Sequence, residues 1–232
     1  MESFIEAVES RRSVRDFLPD AVPQDVLTRC LDAACKAPSS SNLQPWEFVV
    51  IRDPQARQEA NRICLDQSSV QTAPLLVAIV AHRDTWRRNR DHILRTFEAR
   101  GQLRKSQERY YRFLIPFVYI NGPFNILGWW KPLLARLVSL LRPVPSFNPQ
   151  QDVRVMVHKS TALAAATFML ALRSEGYDSC PMEGFDPWRA KKLLGLGPRA
   201  EVCMFVAVGR RSDKGVYWER VLMPRAWAVR EL

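Results

Sequence analysis

Arg11, Arg12 and Arg15 stand with Ser13 in the stretch SRRSVRDF, close to the amino terminus. Guanidinium forks bind phosphate oxygens bidentately, so three of them on a short turn suit a bound anion. A solvated basic turn would present the same residues, and this stretch alone does not decide. A second stretch, KAPSSSNLQPWEFVVIRD from Lys36 to Asp53, sets Pro38, Ser39, Ser40, Ser41, Asn42 and Gln44 between a helical pattern and an apolar run. Its prolines and small polar residues are more than a plain turn needs, and they offer N–H groups and hydroxyls in a stiff frame. A third, PMEGFD, brings Pro181, Met182, Glu183 and Gly184 just ahead of Asp186-Pro187, which reads as a helix cap and first turn. Three histidines and five cysteines with no CxxC pair make a metal site unexpected.

The elements that must carry these residues are legible from hydrophobic pattern. Three short apolar runs, WEFVVI from Trp46, LLVAIVA from Leu75 and VCMFVAV from Val202, are continuous rather than alternating, as for strands covered on both faces. Helical patterns span Ser3 to Ser10, Pro23 to Ala37 with Pro23 in the first turn, Pro54 to Asp66, Val153 to Ser174, and Asp186 to Gly195. The Ala-rich fourth helix is apolar nearly all round, which predicts burial in the core or at a subunit interface. The expected class is α+β, a central sheet sandwiched by helices.

At 232 residues the chain fits one domain, 1–232, with a decoration over 83–151. Glu2, Glu6 and Glu9 interrupt any apolar run at the amino terminus, and free, buried cysteines are expected at Cys30, Cys35, Cys64, Cys180 and Cys203, which together point to a reducing cytoplasm. Thirteen of the 34 Lys+Arg and only four of the 24 acids fall between Arg83 and Gln151, so that segment is +9 and the remainder +1. Arg83 to Arg112 reads as a solvated helix. Phe113 to Leu141 is strongly apolar, but Pro116, Asn121-Gly122-Pro123 and Lys131-Pro132 break it and Arg136 charges it, so a hairpin of two short helices fits better than a membrane span.

Taken together, RRSVRDFLPDAVPQDVLTRCLDAACKAPSSSNLQPWEFVVIRD resembles the opening of the FMN-dependent nitroreductase family, with its Arg-Arg-Ser-x-Arg and Ala-Pro-Ser-x-x-Asn-x-Gln-Pro-Trp motifs. PMEGFD resembles the family's Pro-x-Glu-Gly-Phe loop, and LGLG followed by a strand ending Val208-Gly209 matches a third block. The resemblance covers about Phe4 to Ala81 and Val153 to Arg211, and leaves 83–151 outside it. It implies a homodimer with FMN at the subunit interface and NADH or NADPH as transient reductant. Arg11 is then the phosphate ligand, helped by Arg210 or Arg211, with Arg220 a third choice left open. Arg15 would face the pyrimidine end of the flavin, where reduction gathers negative charge, and Arg12 and Ser13 would hold ring and ribityl chain. Pro181, Met182, Glu183 and Gly184 would supply an N–H toward flavin N5. Pro38, Ser39, Ser40, Ser41, Asn42 and Gln44 would be the partner subunit's wall against the ring. No catalytic side chain is required, because the cofactor carries the chemistry.

The implied activity is FMN-dependent NAD(P)H oxidation with ping-pong hydride transfer to nitroaromatic or quinone-like acceptors. Alternatives on the same fold are dehalogenation or flavin breakdown, and from another class a non-catalytic flavin-binding or membrane-associated module. The aromatic-rich 83–151 segment admits three roles: a lid over a flat acceptor, a peripheral membrane contact through 113–141 at the inner face of a membrane, or added area on the partner subunit. Nucleic acid is not expected, since the basic segment is too apolar for a plain phosphate-binding face.

Overall fold

The computed structural model describes residues 3–120, 126–141, 143 and 149–231. Helix α1, Phe4–Ser10, starts on a capping box between Ser3 and Glu6, and α2, Gln24–Ala34, follows. Pro23 is the N-cap of α2, not a first-turn residue. The helix stops at Ala34 because the N–H groups of Lys36 and Ala37 tighten to carbonyls three residues back. Strand β1, Trp46–Ile51, leads to α3, Pro54–Ile63, capped by Asp53. Leu65 (φ 59°) and Asp66 (φ 52°) enter the left-handed region, which ends α3 short of Asp66. Then come α4, Ser68–Thr72, and β2, Leu75–His82.

Between β2 and the long core helix lie α5, Trp86–Ala99, and α6, Lys105–Arg109, then a π-helical turn, Tyr110–Leu114, α7, Ile115–Tyr119, and α8, Ile126–Ser139. Two expectations are corrected here. Arg83 to Arg112 is not one solvated helix: Gly101 at φ 62° follows α5, and Trp86, Ile93 and Leu94 of α5 are buried. Lys131-Pro132 does not break the apolar segment either, for Pro132 lies inside α8. Asn121-Gly122-Pro123 lies outside the described residues. The chain closes with α9, Pro149–Ser174, β3, Asp178–Met182, α10, Pro187–Leu193, β4, Ala200–Gly209, and α11, Arg225–Ala228.

The four strands form one antiparallel sheet in the order β1-β2-β4-β3. Alternation along the strands feeds two cores. Leu76, Ala78, Phe205 and Ala207 meet α3, α4 and α10 on one face, and Leu75, Val77, Ile79, Met204, Val206 and Val208 meet α2 and α9 on the other. Register shifts between Ile79 and Val80, leaving Cys203 as the extra residue of a bulge. The shift flips parity, so Val202 rather than Cys203 joins the first core. α9 buries one side, with Val157, Ala164, Ala165, Phe168 and Leu172 inward, and exposes Leu163 on the other. It is the one described helix long and apolar enough to cross a membrane, and it is packed as the core helix against α2 and the sheet.

β3 was not anticipated. Its edge position explains how Pro181, which has no N–H to give a ladder, fits within it. The five cysteines are all free, and Cys35, unlike the expectation, is exposed.

Candidate functional site

Arg11, Arg12, Ser13 and Arg15 line a cavity of about 230 Å³ whose opposite wall is the segment Val216–Val221. The segment is strapped down by backbone. The Arg15 N–H donates to the Gly215 carbonyl at 2.8 Å, and a Cβ at Gly215 would lie 2.6 Å from the Asp16 carbonyl oxygen. Only glycine permits that approach. Arg12 donates to the Trp218 carbonyl, and Arg220 donates to the carbonyl of Arg11. The Arg15 guanidinium lies 5.5 Å over the Tyr217 ring, and Tyr217 is within 3.2 Å of the Ser68 hydroxyl.

Four arginines, Arg11, Arg12, Arg15 and Arg220, therefore line one small cavity with Glu219 as the single carboxylate among its described lining residues. Arg11 forms no ion pair among the described residues. Burial, then the like charges of Arg220 and Arg12, hold its guanidinium below the ordinary range. A dianion entering the cavity would reverse that penalty. Nearby, Ser13 bridges to Ser179, whose buried hydroxyl has no partner among the described residues. The donor set fits a phosphate joined to a polyhydroxy chain.

Arg210 and Arg211 do not line this cavity. Arg210 lies over the Tyr177 ring at 5.3 Å, and Arg211 donates to the buried Asp178 carboxylate, its Nε at 2.8 Å, and to the Ser10 carbonyl. Of the three bases that the sequence left open, Arg220 is the one brought to Arg11. Tyr217, Trp218 and Glu219 were missed by sequence reasoning, because a strap without periodicity carries no signal beyond its aromatic and charged composition.

The Pro181–Gly184 stretch divides between strand and loop. Pro181 and Met182 end β3, while Glu183 and Gly184 are exposed. The Gly184 carbonyl accepts from Gln67 Nε2 at 2.8 Å, and a Cβ there would meet that atom at an ordinary 3.6 Å. The chain itself does not require glycine at 184. Ser69 donates to the Met182 sulfur at 3.1 Å, so the 66–69 segment, for which the sequence offered no role, buttresses this loop. Asp186 caps α10 through the N–H groups of Trp188 and Arg189.

The turn after α2 is wound tightly. Ser41, Asn42 and Gln44 have φ of 56°, 52° and 45°, a conformation costly for residues with a Cβ. Side chains hold it: Ser39 Oγ accepts from the Gln44 N–H at 3.0 Å, Gln44 Nε2 donates to Asn42 Oδ1 at 3.1 Å, and the Ser40 N–H donates to Ser160 Oγ at 3.2 Å. From the 83–151 segment, Tyr110 Oη lies 2.6 Å from Ser41 Oγ and Tyr111 Oη donates to the Ser41 carbonyl at 3.1 Å. Pro38 is exposed beside the turn.

Within one chain the two groups stand apart. The turn meets α9 midway, at Ser160, and the arginine cavity adjoins its carboxyl-terminal end, where Arg173 binds Ser10 at 2.8 Å. Thirteen residues of helix separate those contacts, roughly 20 Å. Each chain thus presents two separate parts of the candidate site, one midway along α9 and one at its carboxyl-terminal end.

Comparison with known proteins identifies the family. The chain is 27% identical over 219 residues to the NADH dehydrogenase of Thermus thermophilus, covering 94% of this chain and 92% of that one. It is 29% identical over 214 residues to Protein DrgA of Synechocystis, covering 92% and 86%. A protein of Exiguobacterium sibiricum crystallised in complex with FMN superposes with a TM-score of 0.75 at 20% identity, covering 100% of this chain and 98% of that one. The model of the Nitroreductase family matches residues 8–210, which take in Arg11 to Arg15 and the Pro38–Gln44 turn but stop short of the Val216–Val221 strap, and the chain belongs to that family.

Proposed function

We propose that this chain is an FMN-dependent NAD(P)H oxidoreductase of the nitroreductase type, using ping-pong hydride transfer to nitroaromatic or quinone-like acceptors. The observation that carries the proposal is the small cavity in which Arg11, Arg12, Arg15 and Arg220 converge. FMN, when bound, supplies the hydride chemistry. The chain supplies position and charge: Arg11 and Arg220 hold the phosphate, Ser13 and Arg12 the ribityl chain, and Arg15 the pyrimidine edge. The exposed Glu183-Gly184 backbone offers an N–H at the ring, and no side chain serves as nucleophile or proton donor.

The separation of these two parts supports a homodimer in which the Pro38–Gln44 turn of one subunit faces the arginine cavity of the other. Phe4, Ile5, Leu163, Trp218 and Trp227 are large apolar side chains left exposed by one chain, as an obligate partner requires. Residues 1–232 are read as one domain in which 83–151 covers the turn through Tyr110 and Tyr111, forming a lid for a flat acceptor. The free cysteines support a cytoplasmic setting. Steady-state kinetics test the mechanism: parallel double-reciprocal lines for NAD(P)H and a quinone are expected. Intersecting lines, which require both substrates bound at once, would overturn it.

A further inference from the structure

The helices that follow Tyr110 leave an apolar surface uncovered. Phe113, Leu114, Phe117 and Ile120 on one side and Trp130, Leu133, Leu134 and Leu137 on the other are all exposed, and Leu141 at the end of the segment is 90% exposed. They shape two adjoining grooves that share Phe117. One, of about 570 Å³, runs between α7 and α8 over Pro116, Trp130, Leu134 and Leu137. The other, of about 740 Å³, has Phe113, Leu114 and Tyr110 as its floor and Lys105 and Arg109 on its rim. Among the described residues no carboxylate lines either groove. The two helices are fastened together from inside, where the buried Lys131 amine donates to the carbonyls of Phe117 and Ile120. The surface is therefore a built platform, with its own small core of Trp86, Ile93, Leu94, Tyr111 and Ile115 beneath.

The charge around the platform selects its occupant. Between Lys105 and Leu141 the sequence has five bases and one acid, Glu108, which pairs with Arg112 at 2.9 Å. Lys105, Arg109 and Arg136 are left on the exposed side of the segment without a carboxylate partner among the described residues. A second copy seated face to face across a twofold axis would set this +4 segment against its own image, which like charges oppose. An anionic bilayer satisfies both halves of the surface: acyl chains take the Phe113, Phe117, Leu134 and Leu137 side chains, Trp130 sits at the headgroup level, and phosphates meet the rim cations. We infer that the face formed by Phe113–Ile120 and Trp130–Leu141 docks peripherally on an anionic membrane surface.

Vesicle co-sedimentation of the full-length protein tests this. The probes are vesicles of phosphatidylcholine alone and of phosphatidylcholine with phosphatidylglycerol, in about 0.1 M and about 1 M salt. The parent protein is expected to pellet with the anionic vesicles at low salt, to be released at high salt, and to bind neutral vesicles weakly. Leu134→Glu with Leu137→Glu should abolish pelleting. Arg109→Gln with Arg136→Gln should weaken binding to anionic vesicles about 30-fold, at roughly five-fold per cation, and leave neutral vesicles unchanged. Visible flavin absorbance and far-ultraviolet circular dichroism report that each variant is folded. A parent protein that stays in the supernatant overturns the proposal, as does a leucine double variant that pellets like the parent. So does a double variant that changes only the molecular mass in solution, which would make the face a contact between copies. The assay reads no turnover, so its failure and the failure of the flavin assignment are separate results.

Discussion

Replacing Arg11 by glutamine removes one of four cations around the strap cavity while leaving a side chain of similar length. In the unliganded protein the change should cost nothing, because Arg11 has no ion-pair partner among the described residues and is disfavoured by burial and by Arg220 and Arg12. A hydrogen bond to a charged phosphate contributes about 1.5–3 kcal/mol. Losing it should weaken FMN binding about 10- to 150-fold. Riboflavin has the same ring and ribityl chain without the phosphate, so its affinity should change less than about two-fold. Quenching of flavin fluorescence on titrating apoprotein gives both constants. The thermal midpoint of the flavin-free Arg11→Gln protein should equal or exceed that of the parent. Equal losses for FMN and riboflavin would place Arg11 at the ring end or in folding, and an unchanged FMN constant would remove it from the site; either refutes the reasoning.

Gly215→Ala should cost about 1–3 kcal/mol in chemical denaturation, because its Cβ would press on the Asp16 carbonyl and Val14, and the displaced strap should weaken FMN binding as well. Glu201 lies among Arg83, Arg154 and His158 at 3.0, 2.6 and 3.1 Å. Burial raises its carboxyl, but the hydrogen bonds of Arg154 and His158 and the charges of Arg154 and Arg83 outweigh that and lower it below 4.5. A depressed carboxyl contributes stability above its unfolded pKa and loses it as pH falls through the folded one. Glu201→Gln should therefore destabilise by about 1 kcal/mol at neutral pH, with the difference from the parent closing in pH-dependent denaturation as pH falls through the depressed folded-state value. A thiol reagent applied to the native protein should modify Cys35 quickly. Cys30 and Cys64, pushed up to about 12 by burial, Cys203, pushed up to about 11, and Cys180, also raised by burial, should wait for unfolding.

What was legible in the sequence followed pattern length. β1, β2 and β4 are runs of six to ten residues whose apolar content survives on both faces, and they were located to within a few residues. β3 was not, because DSCPM has five residues, a proline and a buried aspartate, and owes its strand geometry to pairing with β4. The arginine stretch and the Pro38–Gln44 turn stood out by composition, yet composition could not say that the first faces a strap from the far carboxyl-terminal end. That contact joins Arg12 to Trp218 and Arg11 to Arg220 across more than two hundred residues. Helix ends were misplaced where tertiary geometry decided them, at Ala34 and at Leu65-Asp66. Pro132 was taken as a breaker because propensity ranks it so, but α8 continues through it, next to a Lys131 that is bound to α7.

The central claim is that this chain holds FMN and takes reducing equivalents from NAD(P)H. The most direct measurement is the visible spectrum of the purified protein under anaerobic conditions, before and after NADH or NADPH, and again after a quinone. The account predicts flavin bands that bleach with the nucleotide and return with the quinone. A protein that is colourless and does not take up added FMN would contradict it at the root.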